Sequence, residues 1–300
     1  MEFVIVGAGG VGGNLGARLI EAGYRVSWVV RGANLQALRR GLTLKSPLGN
    51  AALGPQRASD DPREFDPPDA VIVTVKLYDL AAVAAALKPL AGARTVFLPL
   101  QNGVEAHAIL AASLPPVSVL KGMVSIKAHL ESPGNIVCKS GFSKIRLGGA
   151  GAQALAGALN QAKGVEATLS GQIDTDLWKK FVMLAGFSSV SCLARASIGQ
   201  VLDSPESYRL LIDAVTEAAV VARARGISLP DNIEELVDSQ VRDLPRDGRP
   251  SMLEDLETGR PLELEFLSGA LVRLGAQSGV ATPFHSMACR ALAMHSRGKR

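Results

Sequence analysis

The sequence predicts an α/β protein in two parts, a mostly parallel sheet with helices followed by an all-helical part. Three observations carry that reading. Strand-like apolar runs alternate with helix-like stretches through the first half, the pattern of a parallel sheet covered by helices. Beyond Ile173 the strand patterns stop and every segment has helical character. At the N-terminus a short apolar run feeds a glycine-rich turn and an amphipathic stretch. A chain of 300 residues has room for two domains. We place them at residues 1–168 and 169–300.

The opening segment, EFVIVGAGGVGGNLGARLIEAGYRVSWVVR, justifies the first elements. Phe3 to Val6 is a strand that runs into Gly7-x-Gly9-x-x-Gly12, and a second apolar run, Val26 to Val30, ends in Arg31. Strand, glycine turn, helix and strand in this order form the fingerprint of a Rossmann-like dinucleotide-binding unit. Gly7 allows the tight turn, Gly9 lets the backbone approach a pyrophosphate, and Gly12 lets helix and strand pack closely. With Gly10 and Val11 these residues make up a helix N-terminus, whose free N–H groups and partial positive charge suit phosphates. An NAD site usually ends its second strand in an acid that holds the ribose 2′-hydroxyl, whereas an NADP site offers a cation to the 2′-phosphate. No acid lies between Tyr24 and Leu42, and Arg31 presents a planar fork suited to phosphate. The expected cofactor is NADPH, which points to a reductase.

The remaining elements follow in chain order. A helix is expected near Leu35–Arg40, with short strands near Leu42–Lys45 and Ala51–Leu53. Val71 to Lys76, VIVTVK, reads as a buried strand, Leu80 to Leu87 as an alanine-rich helix, and Thr95 to Leu100 as the next strand. Ala106 to Ser113 is helical. Val117–Leu120, Met123–His129, Asn135–Lys139 and Lys144–Leu147 read as strands, the middle pair joined through Ser132-Pro-Gly-Asn135. That late run predicts an antiparallel extension at one edge of the sheet. Gln153–Lys163 is helical, and a short strand fits Glu166–Thr168. The helical part then contains an apolar helix to Leu193 and helices over Pro205–Arg225, Pro230–Asp243, Ser251–Thr258, Pro261–Ser278 and Pro283–Ser296, each opened by Pro or Ser near its start. The active site is expected in the cleft between the two parts.

Composition narrows the function classes. The formal net charge of +4 is spread along the chain, and the one dense basic stretch, Arg297 to Arg300, reads as a solvated tail. A nucleic-acid partner is therefore not expected. Cys138, Cys192 and Cys289 are odd in number and far apart, which supports neither a disulfide framework nor a zinc site. No signal peptide precedes the first strand, and the longest uncharged apolar run, Phe181 to Leu193, is too short to span a bilayer. We expect a cytoplasmic protein with a small-molecule partner and no membrane. A homodimer is compatible with these features.

Ketone reduction needs a proton donor for the developing alkoxide and groups that orient the substrate. In an open parallel sheet they sit at carboxyl ends of strands. Lys76 closes VIVTVK, and Asn102 follows VFLPLQ. Ordinary strand-exit chemistry explains both equally well, lysine as a solvated end and Asn-Gly as a turn. In the helical part, Asp176-Leu-Trp178-Lys179-Lys180-Phe181 precedes a nearly uncharged helix. A lysine buried there would have a lowered pKa and become a usable acid. A snorkelling lysine beside a core tryptophan explains the same pattern. Periodicity does not choose between Lys179 and Lys180.

The chain resembles the ketopantoate reductase (2-dehydropantoate 2-reductase) family over essentially its full length. The matching pieces are GAGGVGG, Arg31, the strand ending in Lys76, LQNGVE, the Ser-Pro-Gly-Asn turn, LWKKF, SMLEDLETGRPLELEFLSG and GVATP. The resemblance implies NADPH-dependent reduction of a 2-oxo acid to the 2-hydroxy acid, with pantothenate biosynthesis as the family's setting. It matches Lys180 to the general acid and Glu263 to the glutamate that positions substrate and lysine. It matches Asn102 to a substrate and cofactor contact, Lys76 to the strand-end lysine of the same pocket, and Ser251 to a serine that helps hold the substrate carboxylate. The departures are as informative. Where the family's lysine helix carries two asparagines, one and two turns beyond the lysine, this chain has Leu184 and Ser188. The family's later Asn-Gly is Ser268-Gly269. Lost amides imply a substrate more apolar than ketopantoate, unless Ser188, Ser189 and Ser191 compensate. A non-catalytic NADPH-binding redox sensor is the alternative from another class; an acid at Lys180 with Glu263 and Asn102 speaks against it.

Overall fold

The computed structural model describes residues 1–115 and 117–298. Lys299 and Arg300, the end of the basic C-terminal stretch, lie outside the described residues. The chain divides into two compact units, Met1–Ile173 and Asp174–Arg300.

The first unit begins with β1 (Glu2–Val6), α1 (Gly10–Glu21), β2 (Arg25–Val29) and α2 (Gly32–Leu38). Next come β3 (Leu42–Lys45), β4 (Ala51–Leu53), β5 (Arg57–Ser59), β6 (Ala70–Val73), α3 (Leu77–Ala86), β7 (Val96–Pro99), α4 (Ala106–Ser113) and β8 (Ser118–Val119). It closes with β9 (Lys121–Ser125), β10 (Ala128–Ser132), β11 (Asn135–Cys138), β12 (Ser143–Gly148), α5 (Ala152–Leu159) and β13 (Val165–Leu169). A six-stranded sheet runs β5-β2-β1-β6-β7-β8, with every pair parallel. Its central strands are apolar along their length, Val4, Ile5, Ala70, Val71, Ile72 and Phe97 being buried, as a sheet covered on both faces requires. The chain builds outward from β1 through β2 to β5, then returns to the other side of β1 as β6. That reversal makes a topological switch point beside the glycine turn, where open α/β sheets bind ligands.

The other strands do not form the antiparallel extension predicted at one edge of that sheet. They make two further sheets of mixed direction, β10-β11-β3-β4 and β13-β12-β9. The physical reason is a break inside the segment Met123–His129, which the sequence reads as one strand. Lys127 leaves the ladder at the break: its carbonyl accepts from Lys139 N (2.7 Å), and its N–H donates to Ser140 Oγ (3.1 Å). β9 therefore pairs with β12, and β10 with β11. The four-stranded sheet lies against α1. A Cβ at Gly10 would strike the backbone of Ala128, and one at Gly13 would strike Ile136.

The second unit carries the rest of α6 (Ile173–Ala194), then α7 (Ile198–Asp203), α8 (Pro205–Ala224) and α9 (Ile233–Arg242), with α10 (Ser251–Glu257), α11 (Ser268–Gln277) and α12 (Pro283–Leu292). Ser204 caps α8, accepting from Ser207 N at 3.3 Å, and Gly226 beyond its C-terminus takes φ +78°. The helix predicted over Pro261–Ser278 is interrupted. Leu262 N–H donates to Ser296 O at 3.0 Å, and a single turn at Leu264–Phe266 precedes α11. That break leaves Glu263 ahead of the turn and buried.

The 22 residues of α6 make it, among the described residues, the one helix long and apolar enough to cross a membrane by length and composition. The uncharged run Phe181–Leu193 is only part of this helix, which also takes in the charged turn before Phe181. Buried in protein over 67% of its most apolar stretch, it has the character of a core helix.

Candidate active site

In the first unit the candidate residues sit at the carboxyl ends of four neighbouring parallel strands, β2, β1, β6 and β7. After β1 the backbone turns at Gly7, whose φ of +96° only glycine adopts without strain. Thr74 holds the turn from the neighbouring strand. Its hydroxyl hydrogen is shared between Val6 O (3.0 Å) and Gly7 O (2.9 Å). A Cβ at Gly12 would collide with Gly7 O and Thr74 Oγ1, so this glycine lets α1 sit down on the turn. Gly9 precedes the helix and has open space where its Cβ would be. No side chain caps α1 and no acid lies in its first turn. The N–H groups of Gly10, Val11 and Gly12 therefore meet the requirements of an anion cradle. These residues fit a dinucleotide pyrophosphate.

Arg31 follows β2 and starts α2 as its N-cap residue. Its guanidinium is exposed and paired with Asp79, Nη2 to Oδ1 3.0 Å. Lys76 follows β6, is half-buried and occupies the N-cap position of α3. Thus the strand read as Val71–Lys76 stops at Val73, and Lys76 belongs to the turn beyond it. Asn102 follows β7 in a bend and is half-buried. Beside it, Gln101 is a residue that sequence reasoning passed over. Its buried amide Nε2 donates to Val73 O (3.0 Å) and Val75 O (3.1 Å). That clamp fixes the Asn102 loop to the Lys76 loop. The only sequence signal for it is the polar residue inside an otherwise apolar strand end.

A separate group of candidate residues lies in the helical unit. Lys180 and Leu184 are half-buried on α6 and Ser188 is buried; at i, i+4 and i+8 they share one helix face. Burial pulls the Lys180 ammonium down to about 8, and the negative charge of Glu263 acts in the opposite direction. Glu263 itself is only 5% exposed. Ser188 Oγ has no hydrogen-bond partner within the protein, and neither does Ser191 Oγ. Ser189 is committed elsewhere, its hydroxyl 2.7 Å from Ser268 Oγ. Ser251 stands exposed as the first residue of α10. Asp255, on the same helix, is buried and accepts from Arg260 Nε at 2.7 Å, so this acid anchors the Gly-Arg-Pro segment that leads to Glu263.

A glycine turn at the switch point of a parallel sheet, followed by an uncapped helix N-terminus, defines a dinucleotide-binding protein. Residues 3–168 match the family model described as ketopantoate reductase PanE/ApbA, and residues 172–296 match that of its C-terminal domain. The 2-dehydropantoate 2-reductase of Archaeoglobus fulgidus is 32% identical, covering 92% of this chain and 91% of its own. The Bacillus subtilis protein named uncharacterized oxidoreductase YkpB is 29% identical, covering 94% of this chain and 95% of its own. Among solved structures, the PanE/ApbA family ketopantoate reductase of Ralstonia eutropha JMP134 superposes with a TM-score of 0.91 at 26% identity, covering 99% of this chain and 98% of that one. The chain belongs to the ketopantoate reductase family.

Proposed function

We propose that this protein uses NADPH to reduce the ketone of a 2-oxo acid whose side chain is more apolar than that of ketopantoate. The observation that carries the reading is Lys180 at about 8 with Leu184 one turn further along the same helix. The reduced nicotinamide, when bound, supplies the hydride. Lys180 donates its ammonium proton to the carbonyl oxygen as negative charge develops there. A donor near 8 is mostly protonated at neutral pH yet acidic enough to release its proton. Glu263 keeps the ammonium charged and oriented. Asn102 contributes an amide to substrate and cofactor, Ser251 a hydroxyl to the substrate carboxylate, and Gly7 to Gly12 with Arg31 and Lys76 hold the dinucleotide. A redox sensor would gain nothing from a desolvated lysine beside a buried glutamate.

The substrate part of the reading rests on the polarity of the lysine helix. Leu184 cannot bond a substrate hydroxyl, and a buried polar group left unpaired costs about 1–3 kcal/mol. That is about tenfold or more in rate against a polyhydroxylated 2-oxo acid. Ser188 offers a single hydroxyl where the family has an amide. The test is a panel of 2-oxo acids, ketopantoate included, followed by NADPH absorbance. We expect higher kcat/KM for the apolar members. Leu184→Asn combined with Ser188→Asn should shift the ketopantoate-to-apolar ratio upward by about tenfold. A wild-type kcat/KM highest on ketopantoate, or a double variant with an unchanged ratio, would refute the apolar-substrate reading.

A further inference from the structure

The ion pair at the mouth of the dinucleotide cradle has consequences for which cofactor is used. β2 and β6 flank β1, so the segments that follow them face each other across the glycine turn. Arg31 comes from one side and Asp79, in the first turn of α3, from the other, with Nη2 and Oδ1 3.0 Å apart. Both side chains are open to solvent, Arg31 at 74% and Asp79 at 37%. Such an exposed pair adds little to stability, so its position matters more than its strength.

NAD sites place a carboxylate at the ribose 2′-hydroxyl, and NADP sites place a cation at the 2′-phosphate. This chain has no acid between Tyr24 and Leu42. Asp79 brings a carboxylate back to the same rim from a different element. The site therefore holds both recognition groups, bonded to each other. An incoming 2′-phosphate, with up to two negative charges, must share the guanidinium with Asp79 and is repelled by it. A 2′-hydroxyl meets no such repulsion, and Asp79 can accept its hydrogen.

We propose that Asp79 is a cofactor-specificity residue: it holds Arg31 across the glycine turn, makes the 2′-phosphate compete for the guanidinium, and so allows NADH to be bound alongside NADPH. The inference rests on the reading that Arg31 meets the 2′-phosphate. Repulsion between charges about 4–6 Å apart near water corresponds to about five- to tenfold in affinity, and it should shrink in high salt.

The experiment is fluorescence titration of the intact protein with NADPH and with NADH, without substrate. Wild type should bind the two within about tenfold of each other. Asp79→Asn and Asp79→Ala should tighten NADPH about five- to tenfold at low salt, less at high salt, with NADH unchanged or slightly weaker. NADH binding reports that the variants are folded. Arg31→Ala should weaken NADPH and leave NADH nearly unaffected. If Arg31→Ala is selective but neither Asp79 variant changes the NADPH-to-NADH ratio, or both move it toward NADH, Asp79 does not compete for Arg31 and the proposal falls. Discrimination above about a hundredfold in wild type would overturn it as well. Equal losses of both cofactors in Arg31→Ala would instead overturn the assignment of Arg31 to the phosphate, and the Asp79 proposal with it.

Discussion

Replacing Lys180 with alanine is expected to lower turnover by about two to four orders of magnitude, the scale of a positioned general acid, while NADPH binding stays nearly unchanged. The effect has a signature in pH that loss of folding would not imitate. With an ammonium held at about 8, the fraction of protonated lysine drops about tenfold per pH unit above that value. The wild-type rate should therefore fall along a limb beginning near pH 8. Lys180→Ala should remove the limb along with most of the rate. Lys179→Ala should keep both, and greater damage from Lys179→Ala would move the acid to that residue. Glu263 gives the complementary test. Its charge raises the lysine pKa against the pull of burial, so Glu263→Gln should slide the limb to lower pH. A limb that stays in place would remove Glu263 from its role beside the acid.

Much of this site is written locally in the chain. The glycine turn, Arg31, Lys76 and Asn102 all lie at or just beyond strand ends, and a strand end can be read from a few consecutive residues. Features that depend on distant segments could not be read. Asp79 reaches Arg31 across 48 residues of sequence, and nothing near Arg31 announces an acid. Gln101 looks like part of a turn until its amide is seen spanning to Val73 and Val75. The two lysines of LWKKF are indistinguishable by periodicity because α6 is apolar on nearly every side. What bears on Lys180 is burial together with the charge of Glu263, far along the chain. The strands after residue 120 show the same limit in the fold. Their strand character is legible, but β9 and β10 read as a single strand, and which strand each joins depends on a two-residue break that no apolar pattern marks.

The least legible feature is a buried polar chain through the helical unit, and it carries the largest expected effect on stability. His285, fully buried, has Nε2 3.1 Å from Ala214 O and Nδ1 2.9 Å from Ser268 Oγ. A carbonyl only accepts, so Nε2 carries the hydrogen. Nδ1 then accepts from the Ser268 hydroxyl, which in turn accepts from Ser189. Ser189 and Ser268, polar residues that sequence reasoning weighed for the substrate pocket, are thereby used to satisfy a neutral imidazole. Burial drives the His285 pKa down to about 4 from 6.5, with the bond to Ala214 opposing the shift. The unfolded chain binds a proton near 6.5 and the folded chain does not, so stability rises with pH across this window. Full stability is present above about pH 6.5 and is lost as pH falls towards 4. The loss should be about 2 kcal/mol by pH 5 and about 3 kcal/mol by pH 4. Glu217 works against this trend. It accepts the N–H groups of Phe284 and His285, and burial raises its pKa, so it regains some stability at the acid end of the window. Urea unfolding at pH 7.5, 6, 5 and 4 measures the balance. His285→Gln, which keeps a donor near the Ala214 carbonyl, should flatten the slope between pH 6.5 and 5 whatever its stability at neutral pH. An equally steep acid loss in that variant would show that His285 already exchanges its proton freely in the folded protein and that other groups set its acid limit.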